Sequence, residues 1–156
     1  MTSKLKYIDF YQQAGDEVPQ LAAQLADKCV SSGKKLVIYC AKEQASAISR
    51  ALWVLQDQSF LAHGIDHQDG AEFADIWIST DVSLNPIDAE YAMPLSGLTL
   101  PDMSQFERHF ILFNGKDDIA LSKAREQWKD FAQEYKGHCR YFAKSEEGRW
   151  EPKASA

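Results

Sequence analysis

Leu36-Val-Ile-Tyr-Cys40 is an unbroken apolar run, short and set between Lys35 and Ala41-Lys42. A strand that shows no alternation is covered on both faces, and this is the habit of a parallel sheet with helices packed on it. The neighbouring segments fit that frame. Lys6 to Tyr11 is rich in aromatic and β-branched residues and reads as a strand. Gly15, Asp16, Glu17 and Pro19 mark a helix start, with acids where the helix dipole favours them. Val18, Leu21, Leu25 and Cys29 then recur at helical spacing up to Gly33, predicting a helix over 17–32. A second helix is expected over 43–55, with Ala45, Ile48, Leu52 and Leu55 on one face. A loop over 56–70 leads to a strand over 75–79. Strand and helix alternating in this way predict an α/β fold, a single-domain open and mostly parallel sheet with flanking helices.

The second half is less regular. Residues 81–88 read as a loop around Asn85-Pro86, and 90–95 as a short strand that Pro94 places at an edge or at its own end. Residues 104–114 are ambiguous. Phe110 to Phe113 suit a strand, but Ser104-Gln-Phe-Glu107 is a capping-box pattern and Phe106, Phe110 and Phe113 follow helical spacing. A helix ending at Asn114-Gly115 is the reading adopted. Leu121, Ala124, Trp128, Phe131 and Tyr135 predict a further helix over 116–136, followed by a strand over 138–143. The domain is expected to span 1–145, with 146–156 a polar tail around Trp150.

Composition bounds the function. With 45% apolar and 12% aromatic residues, the 156-residue chain can bury a core. Its formal charge of −6 disfavours direct binding to a nucleic-acid backbone. The charge is uneven: residues 1–115 hold 8 basic and 15 acidic side chains, and residues 116–156 hold 9 and 8. Cys29, Cys40 and Cys139 form no CxxC pair and suit buried thiols in a reducing, cytoplasmic setting. No signal peptide or membrane-spanning run is expected.

The usual devices of α/β enzymes are missing from the sequence. No two glycines are closer than Gly64 and Gly70, so there is no phosphate-cradling loop and no dinucleotide fingerprint. GxSxG is absent as well. His63 and His67, with Asp66 and Asp69, imitate a metal site, but Gly64 interrupts them and no third ligand is specified, so a solvated loop is the better reading. Asp81 resembles a phosphoacceptor, yet Asp9 lacks the acidic neighbour that role requires. Neither a cofactor nor a catalytic residue is expected.

Two places remain. Arg125 and Lys129 stack one turn apart, with Trp128 about 60° from Arg125 on the helix projection. Two cations beside an aromatic suit an acidic peptide with an apolar anchor. Spacing alone favours an ordinary amphipathic helix, with Trp128 in the core and the cations paired to Glu126, Asp130 or solvent. Trp53, at the end of the second helix, and Phe60, in the following loop, suggest a second partner surface, with core packing the commoner role for such rings.

Several segments resemble the chi subunit family of bacterial DNA polymerase III. They are Ile8-Asp-Phe-Tyr11, Ser32 to Ile38, Ala51-Leu-Trp53, and Ser59-Phe60 with His63. Phe106-Glu-Arg108, Leu112-Phe-Asn-Gly115, Ala124 to Lys129 and Gly148-Arg-Trp150 complete the set, which covers nearly the whole chain. The resemblance implies an open α/β sheet without a phosphate loop, in a non-catalytic clamp-loader accessory subunit. It implies binding of the acidic, Phe-ended tail of single-stranded DNA-binding protein by Arg125, Trp128 and Lys129, with Asn114 at the border. It places a second subunit, psi, against Trp53 and Phe60, with a helicase as a further candidate partner and DNA reached only indirectly. It also favours helix over strand at 104–114. The competing readings are an α/β nucleotide-utilising enzyme without a recognisable motif, and a direct nucleic-acid binder, which the charge balance opposes.

Overall fold

The computed structural model describes residues 3–13, 18–55, 62–66, 68–95, 97–144 and 147–156. The described strands are β1 (Tyr7–Gln13), β2 (Leu36–Tyr39), β3 (His63–Ile65), β4 (Ile76–Ser79), β5 (Tyr91–Pro94), β6 (Arg108–Asn114), β7 (Cys139–Lys144) and β8 (Trp150–Ser155). The helices are α1 (Val18–Ser31), α2 (Lys42–Leu55) and α3 (Asp118–Glu134). One sheet takes the order β3-β4-β2-β5-β6-β1-β7-β8. Every pairing is parallel except β7 with β8. The expected open, mostly parallel α/β sheet is therefore what the chain forms.

Alternation along the strands builds two cores. Tyr11, Phe110 and Leu112 face α1 and α2 on one side, which we call the first face. Phe10, Ile111 and Phe113 face α3 and the 82–106 segment on the second. On α1, Leu21, Ala22, Leu25, Ala26 and Cys29 are buried at helical spacing, each buried leucine contributing on the order of 1.5–3 kcal/mol. The helix ends where expected. Gly33, at φ +82°, turns the chain so that its own N–H reaches the Val30 carbonyl and that of Lys34 reaches Cys29, a Schellman closure that favours glycine. The acids proposed for the start of this helix, Asp16 and Glu17, lie outside the described residues.

The 104–114 segment is not a helix. Residues 103–105 make one 3₁₀ turn capped by the Asp102 side chain, and 108–114 form β6 between β5 and β1. The physical reason is burial on both faces. Phe110 and Leu112 fill one core while His109, Ile111 and Phe113 fill the other, so the phenylalanine spacing that mimics a helix stripe is a coincidence of two alternating sets. β3 lies within the segment read as a loop. Trp150 to Ser155, read as a polar tail, pairs with β7 as the antiparallel edge strand. Pro94 ends β5 although the strand is internal: pairing with β6 stops at Ala92, and Leu95 donates to the Tyr39 carbonyl in its place.

Two buried polar groups accompany this arrangement. Asp9, fully buried on β1, receives Nε and Nη2 of Arg140 at 2.7 Å each and Nε of Arg108 at 2.6 Å. Arg108 also donates to the Tyr11 hydroxyl at 3.0 Å. His109 is fully buried, with Nε2 2.7 Å from the Met103 carbonyl. A carbonyl only accepts, so Nε2 carries the proton, and Nδ1 has no partner among the described residues. Burial pushes the His109 pKa down to about 4. The unfolded chain then binds more protons between that value and roughly 6.5, the ordinary histidine pKa. His109 therefore favours the folded state most above that unfolded value, and the contribution disappears as pH falls through about 4. The full swing is on the order of 3 kcal/mol. His109→Gln, which keeps a donor for Met103, should show a smaller stability loss than wild type between pH 7 and pH 4.5 in urea titrations. Identical losses would contradict this account.

Candidate functional site

α3 carries the tail-site residues named from the sequence. Asp117 caps it, accepting from the N–H groups of Ile119 at 3.0 Å and Ala120 at 3.2 Å. Ala124 and Phe131 are buried in the second-face core, and Trp128 packs against it half-buried. Trp128 stands edge-on to Phe10, with centroids 5.4 Å apart, and to Tyr141, at 5.7 Å. The ring is thus held in a fixed orientation. Burial pushes the Tyr141 phenol pKa up, and the charge of Arg125 opposes the shift. Arg125 and Lys129 are both exposed. The ion pairs among the described residues are Lys34 with Glu107, Asp9 with Arg108 and Arg140, and Lys153 with Glu151. Neither Arg125 nor Lys129 takes part in one. The structure brings together a core-seated aromatic edge and two cations without carboxylate partners among the described residues.

Asn114 sits elsewhere. It ends a strand rather than a helix, and its side-chain oxygen accepts from the Lys116 N–H at 2.9 Å. It lines a groove of about 420 Å³ with Pro94, Phe113, Ile119, Lys123 and Gln127. At about 100° per residue, Lys123 lies roughly 200° around α3 from Arg125, so Asn114 and the Arg125–Lys129 pair flank α3 on opposite sides. Sequence reasoning missed this groove because it took Asn114 as a helix end. The groove opens at the carboxyl ends of the strands, where α1 and α3 leave adjacent β1 and β6 on opposite faces. Nucleotide-binding α/β folds use this position. Here the Asp117 carboxylate takes the N–H groups at the start of α3 that a phosphate would need.

The second surface begins at Trp53. It is 59% exposed at the end of α2, with its ring 5.2 Å from His63. Val54 and Phe73 are exposed as well, at 69% and 77%. Phe60 lies outside the described residues. His63 also approaches the Ser49 hydroxyl at 3.4 Å, and His67 is not among the described residues. No metal-ligating cluster occurs among the described residues. No helix among them is long and apolar enough to cross a membrane. All three cysteines are free and buried, and burial pushes the Cys29 thiol pKa up to about 12 and those of Cys40 and Cys139 up to about 11.

Residues 5–137 match the family model described as DNA polymerase III chi subunit, HolC. The chain is also similar to the DNA polymerase III subunit chi of Haemophilus influenzae (strain ATCC 51907 / DSM 11121 / KW20 / Rd). The two are 31% identical over 113 residues, covering 72% of this chain and 78% of the relative. A helix-flanked sheet without a phosphate loop, matched along most of its length, therefore belongs to the chi subunit family of DNA polymerase III, the replication accessory subunits.

Proposed function

We propose that this chi-family chain is a non-catalytic adaptor that links the polymerase III clamp loader to single-stranded DNA-binding protein by holding the acidic tail of that protein. The observation that carries the reading is the α3 flank, where Trp128 is fixed against Phe10 and Tyr141 while Arg125 and Lys129 stand exposed without carboxylate partners among the described residues. An acidic peptide ending in phenylalanine offers carboxylates for the cations and a ring for the tryptophan edge. Asn114 borders the opposite flank, so the proposed contact rests on the other three residues. In the same reading the exposed Trp53 end of α2, continued by Phe60, receives the psi subunit, and DNA is reached through protein partners. A helicase remains a further candidate partner for the adaptor. Asp117, which already occupies the anion position at the switch-point groove, supports an adaptor over a nucleotide-utilising enzyme.

Charge-assisted hydrogen bonds to a short tail that must order itself give micromolar affinity. Titrating a labelled acidic peptide ending in phenylalanine should show roughly tenfold weaker binding to Arg125→Ala and to Lys129→Ala than to wild type. Affinity should also fall as salt rises. Unchanged affinity in both folded variants removes this site. Saturable nucleotide binding in the groove beside Asn114 would favour the enzyme instead.

A further inference from the structure

Among the described residues, the first face of the sheet is only partly covered. α1 and α2 pack over its β2, β3, β4 and β6 portion, while the β1–β7–β8 end keeps Tyr7 at 42% exposure and leaves Lys144 exposed. A cavity of about 410 Å³ opens there, lined by Lys28 and Ser32 of α1 and by Tyr91, Arg108, Phe142 and Trp150 of the sheet. Its rings are held in place by Tyr11, which stacks on Phe142 at 5.1 Å and meets Trp150 edge-on at 5.0 Å.

Cations alternate with these rings. The Arg140 guanidinium lies 3.6 Å from the Tyr7 centroid, that of Arg108 lies 4.4 Å from Phe110, and the Lys144 ammonium lies 5.4 Å from Trp150. Both guanidiniums are pinned from beneath by the buried Asp9. Lys28 adds a charge at the α1 rim. On that rim the Cys29 carbonyl is already occupied by Ser32 Oγ and the N–H groups of Ser32 and Lys34. Arg108 and Arg140 share the one buried Asp9 carboxylate, and Lys28 and Lys144 stand at the margins of the same face, on a chain of charge −6.

We propose that this face is a contact site for single-stranded nucleic acid, with one or two bases on the Phe142–Trp150–Arg140 surface and phosphates near Lys28, Arg108 and Lys144. Half-buried rings and guanidinium planes on a sheet are what unpaired bases stack on, and cations placed beside those rings can meet the phosphates without reading sequence. A peptide adding as a strand is the less suitable occupant, because the β8 edge carries Glu151, Pro152 and Lys153, residues that block edge pairing. The site is independent of the α3 flank and adds a weak direct contact to the route through protein partners. A few phosphate contacts against an overall negative charge give weak binding, effective once a protein partner holds the chain beside the strand.

The test is fluorescence anisotropy of a labelled oligothymidylate with the full chain at about 50 mM salt, with and without competitor duplex. Binding should weaken roughly tenfold on raising salt to about 200 mM, as expected for two or three phosphates. It should weaken at least fivefold in Lys28→Glu and in Lys144→Glu, both exposed positions, while Lys129→Glu leaves it unchanged. Duplex should compete at least fivefold less well. No anisotropy change at low salt, equal competition by duplex, or insensitivity to both charge reversals overturns the proposal. So does loss of the acidic peptide, rather than the oligonucleotide, in those same variants, which would assign the face to a protein tail.

Discussion

Asp9→Ala is expected to destabilise the protein by about 3–5 kcal/mol, a large share of the ~5–15 kcal/mol that holds an ordinary domain together. Asp9 is fully buried, and its two oxygens take three guanidinium hydrogen bonds at 2.6–2.7 Å. Removing it leaves Arg108 and Arg140, with 27% and 33% of their side chains exposed, facing each other across a cavity. At about 2–4 °C per kcal/mol the melting temperature should fall by roughly 6–20 °C. The cause is the unpaired charge rather than the lost volume, and a triple variant separates the two. Asp9→Leu with Arg108→Met and Arg140→Met removes all three charges and should recover most of the loss, since buried ion networks are often no better than apolar packing. A triple variant as unstable as Asp9→Ala would show that shape, not charge, is what the site requires.

The second large effect is expected at the next residue, on the opposite face. Phe10 is fully buried and touches the rings of Trp128, Phe131 and Tyr141, with centroids 5.4–6.3 Å apart. Phe10→Ala should cost about 3–5 kcal/mol through lost transfer energy and the cavity left behind, and Phe10→Leu less. Urea midpoints at a constant denaturant slope measure both. This substitution also links packing to the proposed binding site. Without the Phe10 ring, Trp128 keeps Tyr141 as its one edge-on neighbour among the described residues. Peptide affinity should drop in the folded Phe10→Ala protein by more than its unfolded fraction explains, with Phe10→Leu intermediate. A destabilised Phe10→Ala that binds peptide with wild-type affinity would show that Trp128 needs no such support.

The first half of the fold is legible because its helices are amphipathic and its strands are apolar runs between clear stops. α1, α2, β2 and β4 fall within a residue or two of their expected limits. β6 is not legible, because a strand buried on both faces has no periodicity and its phenylalanines happen to match a helix stripe. β3 is too short to carry a pattern, and β8 is an exposed edge whose Glu151 and Lys153 look like a tail. At the candidate site, the grouping of Arg125, Trp128 and Lys129 follows from helix geometry alone. The position of Asn114 does not, because it depends on whether residues 108–114 are helix or strand. Asp9 shows the limit most clearly: a lone acid within an apolar strand reveals its role only when Arg108 and Arg140 arrive from 99 and 131 residues away.

That separation sets the order in which the chain can assemble. Of the described strands β1 comes first along the chain, yet its place lies between β6 and β7. The β2–β5 part of the sheet and its α1–α2 cover can come together while synthesis continues, but β1 has no neighbour to join until Arg108 and then Cys139 have been made. At roughly 5–20 residues per second that wait lasts at least several seconds. During it, an aromatic-rich segment carrying an unpaired carboxylate stays exposed to solvent or to a chaperone. Asp9 thus waits without its partners until the two arginines that neutralise it have been translated.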